Sequence, residues 1–318
     1  MHYCAHDAIE YLMQSAGGGS QDQEHRVIRA SVHHSYRDVC NAKDWLWHVT
    51  TGTINVTPTD NTYPLPEDCK NVDAIVLPDR TTVTSYISPA EWLRLEQSQL
   101  TLGEAVYWTV RKSTDPAFFD RWELCIGGKF ATNTAIQYTY RRAPKPLTLM
   151  GYETQVRTGF VTSNGTTVTG ISTNFPARCV GSIFRIGTPG NYPEPLSGFY
   201  PYQAQARITT RASSTSLLLD SNIGAFTEQC RYVISDYLDV SPGMFSAILT
   251  GSELWMARMM GKDINAAVGL YQRDLKLAME GDVIAPISGR RAPYDRTPDA
   301  VTTQYAGTYA PLGPDQGA

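Results

Sequence analysis

His2 and His6 stand four residues apart, a spacing that puts two imidazoles on one helical face and could clamp a metal ion. A metalloprotease would add the glutamate of HExxH and a third ligand, and neither follows. His33, His34 and Asp38, with Ser31 and Ser35 beside them, supply the residue types of a nucleophilic triad. No GxSxG elbow accompanies them, and all five fall in one stretch of helical period, where polar side chains normally face water. Asp220, Glu228, Asp236 and Asp239 could flank a sugar as paired carboxylates. Trp45, Trp47, Trp92, Trp108, Trp122 and Trp255 could stack on one, although five of the six lie in the helix–strand body, where packing or an interface is the plainer role. Gly17-Gly18-Gly19 lacks the lysine of a phosphate-binding loop. The six cysteines are far apart with no CxxC pair, which reads as reduced, buried thiols rather than a zinc or redox site. The expectation is a chain with no catalytic residue, no cofactor and no metal: not an enzyme.

The elements that must carry these residues change period along the chain. Ala5 to Gln14 is helical, with Ile9, Leu12 and Met13 on one face, and the three glycines end it. Asp22 opens a longer helix running to about Trp47, striped by Ile28, Val32, Tyr36, Val39 and Leu46, with His25, Arg29, His33 and Arg37 on wetter faces. From Gly52 the pattern alternates, and a short hairpin is expected to close at Tyr63-Pro64-Leu65-Pro66. Strands are expected at 72–77, 82–87, 104–111, 121–126 and 134–140, with a short helix after Ser88-Pro89. Residues 151–236 are rich in Thr, Ser and Gly. Within them Asn164-Gly165 predicts a hairpin with a type I′ turn, and further strands fall at 182–186, 206–210, 216–219 and 230–234. Helical period returns at 242–260, through Met244, Ile248, Trp255 and Met259. It continues to Glu280 through Ile264, Val268, Tyr271, Leu275 and Met279.

The 318 residues are 42% hydrophobic and 18% charged, too apolar for wholesale disorder. A non-specific nucleic-acid binder normally carries a basic excess to neutralise phosphates, and at a net charge of −4 this chain does not, so the expectation is that DNA passes near it without being gripped. No apolar run reaches the length of a membrane span, and the N-terminus lacks the pattern of a secretory signal.

The order of these segments resembles a known family. Tyr36-Arg37-Asp38-Val39-Cys40-Asn41-Ala42-Lys43-Asp44-Trp45 precedes the strands ending Tyr63-Pro64-Leu65-Pro66. Then come Tyr86-Ile87-Ser88-Pro89-Ala90-Glu91-Trp92, Tyr138-Thr139-Tyr140-Arg141-Arg142-Ala143-Pro144 and two closing helices. Over roughly residues 5–150 and 237–281 this is similar to the head-to-tail adaptor, or connector, proteins of short-tailed bacteriophages, the tail tubular protein A type. The resemblance implies a structural virion protein of the neck, made in the host cytoplasm. It implies a ring, usually of twelve copies, between the portal protein and the tail nozzle or tube. Genomic DNA would pass through that ring without specific binding, and tail fibres are a further partner for 151–236. A receptor- or carbohydrate-binding tail component is the alternative, raised by the Thr/Ser-rich module.

The expected fold class is α+β: an antiparallel helical bundle with β-hairpins or a short sheet, an inserted all-β domain and an extended C-terminal arm. The bundle's first part with its β-rich region would occupy 1–150, the β-domain 151–236, the closing helices 237–286 and the arm 287–318. Prolines 293, 298, 311 and 314 deny the arm both helix and central strand. Its anchors on the portal or an adjacent copy would be Arg290, Arg291, Tyr294, Arg296, Tyr305 and Tyr309, because Arg forks onto carboxylates and Tyr buries its ring while keeping a hydrogen bond.

Overall fold

Apolar residues at period two build two of the molecule's three cores, and helical stripes build the third. The computed structural model describes residues 3–15, 22–58, 60–78, 84–98, 106–113, 121–127, 130, 132–187 and 202–282. Five α-helices are described: α1 (Ala5–Ser15), α2 (Asp22–Asn41), α3 (Pro89–Ser98), α4 (Phe245–Met259) and α5 (Asn265–Gly281).

The first core lies between two small sheets. One has the order β1 (Val49–Val56), β7 (Thr134–Arg142), β3 (Cys69–Val76). The other runs β2 (Thr62–Pro64), β6 (Trp122–Gly127), β5 (Val106–Lys112), β4 (Thr84–Tyr86), with β4 and β5 parallel. Val56, Val72, Ile75, Trp108, Leu124, Ile126, Ile136 and Tyr138 meet in that core. In each sheet a tyrosine lies across a glycine. Gly52 pairs with Tyr138, and a Cβ there would fall 2.3 Å from the tyrosine ring; Gly127 pairs with Tyr107, with 2.2 Å to the ring. Only glycine leaves that space. Helix α3 covers the outer face of β5, and the Glu91 N–H donates to Ser88 Oγ at its start.

Six strands between Phe160 and Ser235 close into a barrel around the second core. Its order is β10 (Ile183–Gly187), β11 (Ala204–Ser213), β12 (Ser216–Leu219), β9 (Thr167–Ile171), β8 (Phe160–Asn164) and β13 (Ala225–Ser235), antiparallel throughout. Its interior is filled by Val161, Val168, Phe175, Phe184, Ile186, Leu217 and Tyr232, so it is packed rather than hollow. The expected hairpin sits one residue later than the Asn-Gly signal. Asn164 pairs with Thr167, leaving Gly165-Thr166 as the loop, with positive φ at Gly165 and not at Thr166. That is the glycine-first pattern of a type II′ turn rather than type I′.

Helices α1, α2 and α4, with α5 along α4, enclose the third core through Ile9, Leu12, Ile28, Val32, Val39, Met244 and Ile248.

An antiparallel helical bundle is therefore not the architecture. Strand exceeds helix, and the helices account for one core beside a closed barrel and two further sheets. The alternating strands carry enough apolar side chains to bury against one another without the helices. Helix α2 also ends at Asn41, short of Trp47, because Trp45 turns inward and caps the end by donating its Nε1–H to the Val39 carbonyl at 2.8 Å. The expected hairpin from Gly52 to Pro66 does not form: β1 pairs with β7, and β2 with β6 in the other sheet. Alternation announces a strand but not its partner.

Candidate functional site

Two of the four carboxylates that could have flanked a sugar, Asp236 and Asp239, hold the fold together. Asp236, directly after β13, accepts from the Thr148 and Leu149 N–H groups at 2.6 and 2.8 Å, from Ser182 Oγ at 2.6 Å and from Lys145 Nζ at 2.9 Å. Burial pushes its carboxyl up, but the Ser182 bond, the Lys145 charge and the two N–H groups outweigh that and hold it below its ordinary range. Asp239 accepts two bonds from the Arg142 guanidinium and one from Trp47 Nε1. Asp220 accepts the Arg207 N–H at 3.0 Å on the barrel surface, and Glu228 is exposed on β13.

A second knot went unseen in the sequence. Asp7 on α1 pairs with Arg185 on β10, both buried. His6 lies beside them with its Nδ1 3.5 Å from Glu10 Oε1. Burial, then the Arg185 charge, lowers His6 to about 3, so the imidazole is neutral near pH 7 and this contact is no ion pair. The legible signal was an arginine inside the apolar run Ile183-Phe184-Arg185-Ile186: a charge there must have a buried partner.

Four of the triad-like residues, Ser31, His34, Ser35 and Asp38, pack between α2 and α4, while His33 lies on the open side of α2. Ser35 Oγ donates to the Ile248 carbonyl at 2.8 Å and Ser31 Oγ to the Val27 carbonyl. Trp255 Nε1 donates to Asp38, and His34 stacks on the Trp255 ring at 4.8 Å. All six cysteines are buried and free, as the spacing predicts. Among the described residues no three His, Cys, Asp or Glu side chains gather as metal ligands, and no helix is long and apolar enough to cross a membrane.

Two surfaces stand out among the described residues. The first is a cleft of about 490 Å³ at the open end of the sheet–sheet core. Tyr86, Trp108 and Trp122 line it, with Lys70, Asn71 and Asp73 on the β3 side. Tyr86 stands edge-on to Trp108 at 5.0 Å and is exposed. Lys112 lies 4.9 Å over the Trp122 ring. Asp73 accepts from Arg141 Nε at 3.1 Å, and Lys70 pairs with Asp44 at 3.2 Å. The Cys69 thiol at the cleft wall is pushed up to about 11 by burial and then by the Asp68 charge, so it stays protonated and unreactive. This lining can stack and hydrogen-bond a ligand.

The second surface is the outer side of α5. Val268, Tyr271, Asp274, Leu275 and Ala278 face inward, while Ala266, Leu270, Arg273 and Leu277 form an exposed stripe at steps of four, three and four. Leu270 is 41% exposed and Leu277 59%. The helix ends at Gly281, just before the C-terminal segment. The expected anchors Arg290, Arg291, Tyr294, Arg296, Tyr305 and Tyr309 lie outside the described residues. Comparison of the sequence with known protein families and with curated proteins finds no match.

Proposed function

We propose that the chain is a structural head-to-tail adaptor, assembling side by side into a ring that joins a phage portal to the tail nozzle or tube. The observation that carries this reading is a pair of exposed apolar surfaces on different cores. One is the α5 stripe, with Leu270 and Leu277; the other is taken from the exposed apolar side chains about the small sheets, Val76 on β3, Tyr86 on β4 and Leu93 on α3. A ring of identical subunits needs two different patches per copy, because each contact is heterologous and repeats until the rotation closes. The α5 stripe is thus assigned to a second copy of this chain. On this reading the residues after α5 reach the portal, with Arg290, Arg291, Tyr294, Arg296, Tyr305 and Tyr309 as anchors.

The test is electron microscopy of the chain mixed with portal-bearing heads. A ring at the portal vertex is expected, and truncation after Ser288 should leave the protein folded but unable to dock. Heads without added density would overturn the reading.

A second reading, a carbohydrate-binding tail component, rests on the cleft. Aromatic faces beside Asn71 and Asp73 suit a sugar ring, which stacks its C–H face and hydrogen-bonds at its edge. Glycan binding without any portal, lost in Tyr86→Ala and Trp122→Ala, would favour it over the adaptor.

A further inference from the structure

The solvent face of α2 carries Arg26, Ala30, His33 and Arg37 at steps of four, three and four, with Arg29 alongside. Arg26 and Arg37 are exposed, and Arg29 and His33 are half-buried. The line from Arg26 to Arg37 is about 16 Å long at 1.5 Å per residue. Against its first half lies an open groove of about 260 Å³, lined by Arg26, Arg29, Ala30, His33, Met150 and Glu153. In a chain of net charge −4, three arginines and a histidine on one helical face are a local reversal of sign.

The groove's one carboxylate, Glu153, is turned to its own backbone: its two oxygens accept the Met150 N–H at 3.0 and 3.1 Å. Arg29 is held by a partner of its own within the fold. His33 is lowered by burial first, then by His34 and Arg37, as expected where cations crowd.

We infer that this face of α2 binds the phosphate backbone of duplex DNA, without reading its sequence. A duplex presents a phosphate about every 3.4 Å of axis on each strand whatever its sequence, and because the strands wind round the axis a straight row about 16 Å long meets only the few that face it, enough for Arg26 and Arg37 to take one each. Arginine forks onto phosphate through two parallel N–H bonds. A protein partner would need apolar anchors at the centre of its footprint. Among the described residues the large exposed apolar side chains lie elsewhere, and none is on α2. The inference deepens the adaptor reading by naming a surface that would meet the passing genome, and it rests on that reading only for the source of the DNA.

The test is fluorescence anisotropy of a labelled duplex of about 20 bp with the full-length chain across a salt series. Binding should weaken with salt, and Arg26→Gln/Arg37→Gln should lower the slope of log K against log salt by about 1.8, at about 0.9 per lost phosphate contact. Affinity at low salt should fall about tenfold or more, while Arg26→Lys/Arg37→Lys keeps the slope. The His33 imidazole, followed by NMR, should titrate higher when duplex is present, because phosphate favours its charged form. Thermal melting checks that both variants are folded. No duplex binding, or binding unchanged in the Gln variant, overturns the inference; so does tighter binding to poly-glutamate, which would assign the face to an acidic protein. Rings that form on portals from a chain indifferent to DNA would overturn this inference alone. DNA binding by a chain that never forms rings would leave it standing and remove the adaptor.

Discussion

Asp7 and Arg185, one on the first helix and the other on a barrel strand, form a two-bond ion pair with Nη1–Oδ1 at 2.6 Å and Nη2–Oδ2 at 2.9 Å. Both side chains are at most 5% exposed. The surrounding groups complete it: the Cys4 N–H donates to Asp7 Oδ2 at 2.8 Å, and Arg185 Nε donates to Gln205 at 3.1 Å. The barrel is therefore pinned to the helical core by a buried charge pair as well as by the chain passing through it.

Breaking one side of that pair leaves the other charge buried alone. Asp7→Ala or Arg185→Ala should lower stability by about 3–5 kcal/mol, whereas Asp7→Leu/Arg185→Met should cost far less, because the desolvation penalty leaves with both charges. Urea unfolding measures all three. The same pair governs excision of the barrel. Joining the chain across 151–236 should give a poorly folded protein with Asp7 present and a better one with Asp7→Leu.

The neighbouring His6 and Glu10 predict an unusual pH profile. His6 is lowered from 6.5 to about 3, by burial first and Arg185 next, so its stabilisation is complete above about 6.5 and is lost as pH falls toward 3. Glu10 is raised from 4.5 to about 7, by burial first and Asp7 next, so its protonated form is favoured on folding. That stabilisation is complete below about 4.5 and is lost as pH rises through 7. Between the two ordinary values the slopes oppose and melting temperature should be nearly flat. Glu10→Gln should abolish the loss above that plateau while leaving the acid limb in place. A melting series from pH 4 to 8 in both proteins reads this directly; an unchanged profile in the variant would assign the loss to other groups.

Gly52 should tolerate no side chain. Gly52→Ala places a methyl within the Tyr138 ring, and Tyr138 is itself buried at 3% exposure. Overpacking of this kind costs about 1–3 kcal/mol. The paired change Gly52→Ala/Tyr138→Leu should be less damaging than the two single costs added together, a coupling that a double-mutant cycle in urea isolates.

The α5 stripe separates folding from assembly. Leu270→Glu/Leu277→Glu changes exposed positions only, so the melting temperature should stay within a few degrees of the parent while rings on portal-bearing heads disappear. Intact rings from this variant would show that the neighbour docks elsewhere.

Local pattern determined which segments would be helix or strand. The stripe Ile28, Val32, Tyr36, Val39 marks the buried face of α2 because side chains three and four apart lie on one side of a helix. The alternation Ile136, Tyr138, Tyr140 marks β7 because successive strand residues point to opposite faces. The isolated cysteines likewise announced buried free thiols. What the sequence by itself left undetermined was partnership, since neither period says what an apolar face will meet. Tertiary structure decided that β1 joins β7 across 78 positions of chain rather than nearby β2, and that six strands close a barrel. It decided that Asp236 pairs with Lys145 and Asp239 with Arg142. It also brought Tyr86, Trp108 and Trp122 to one cleft. The physical reason is common to all of these. Burial rewards any apolar face that is covered, whatever covers it, so the choice among covers is made by charge pairs and steric fits between residues far apart in the chain.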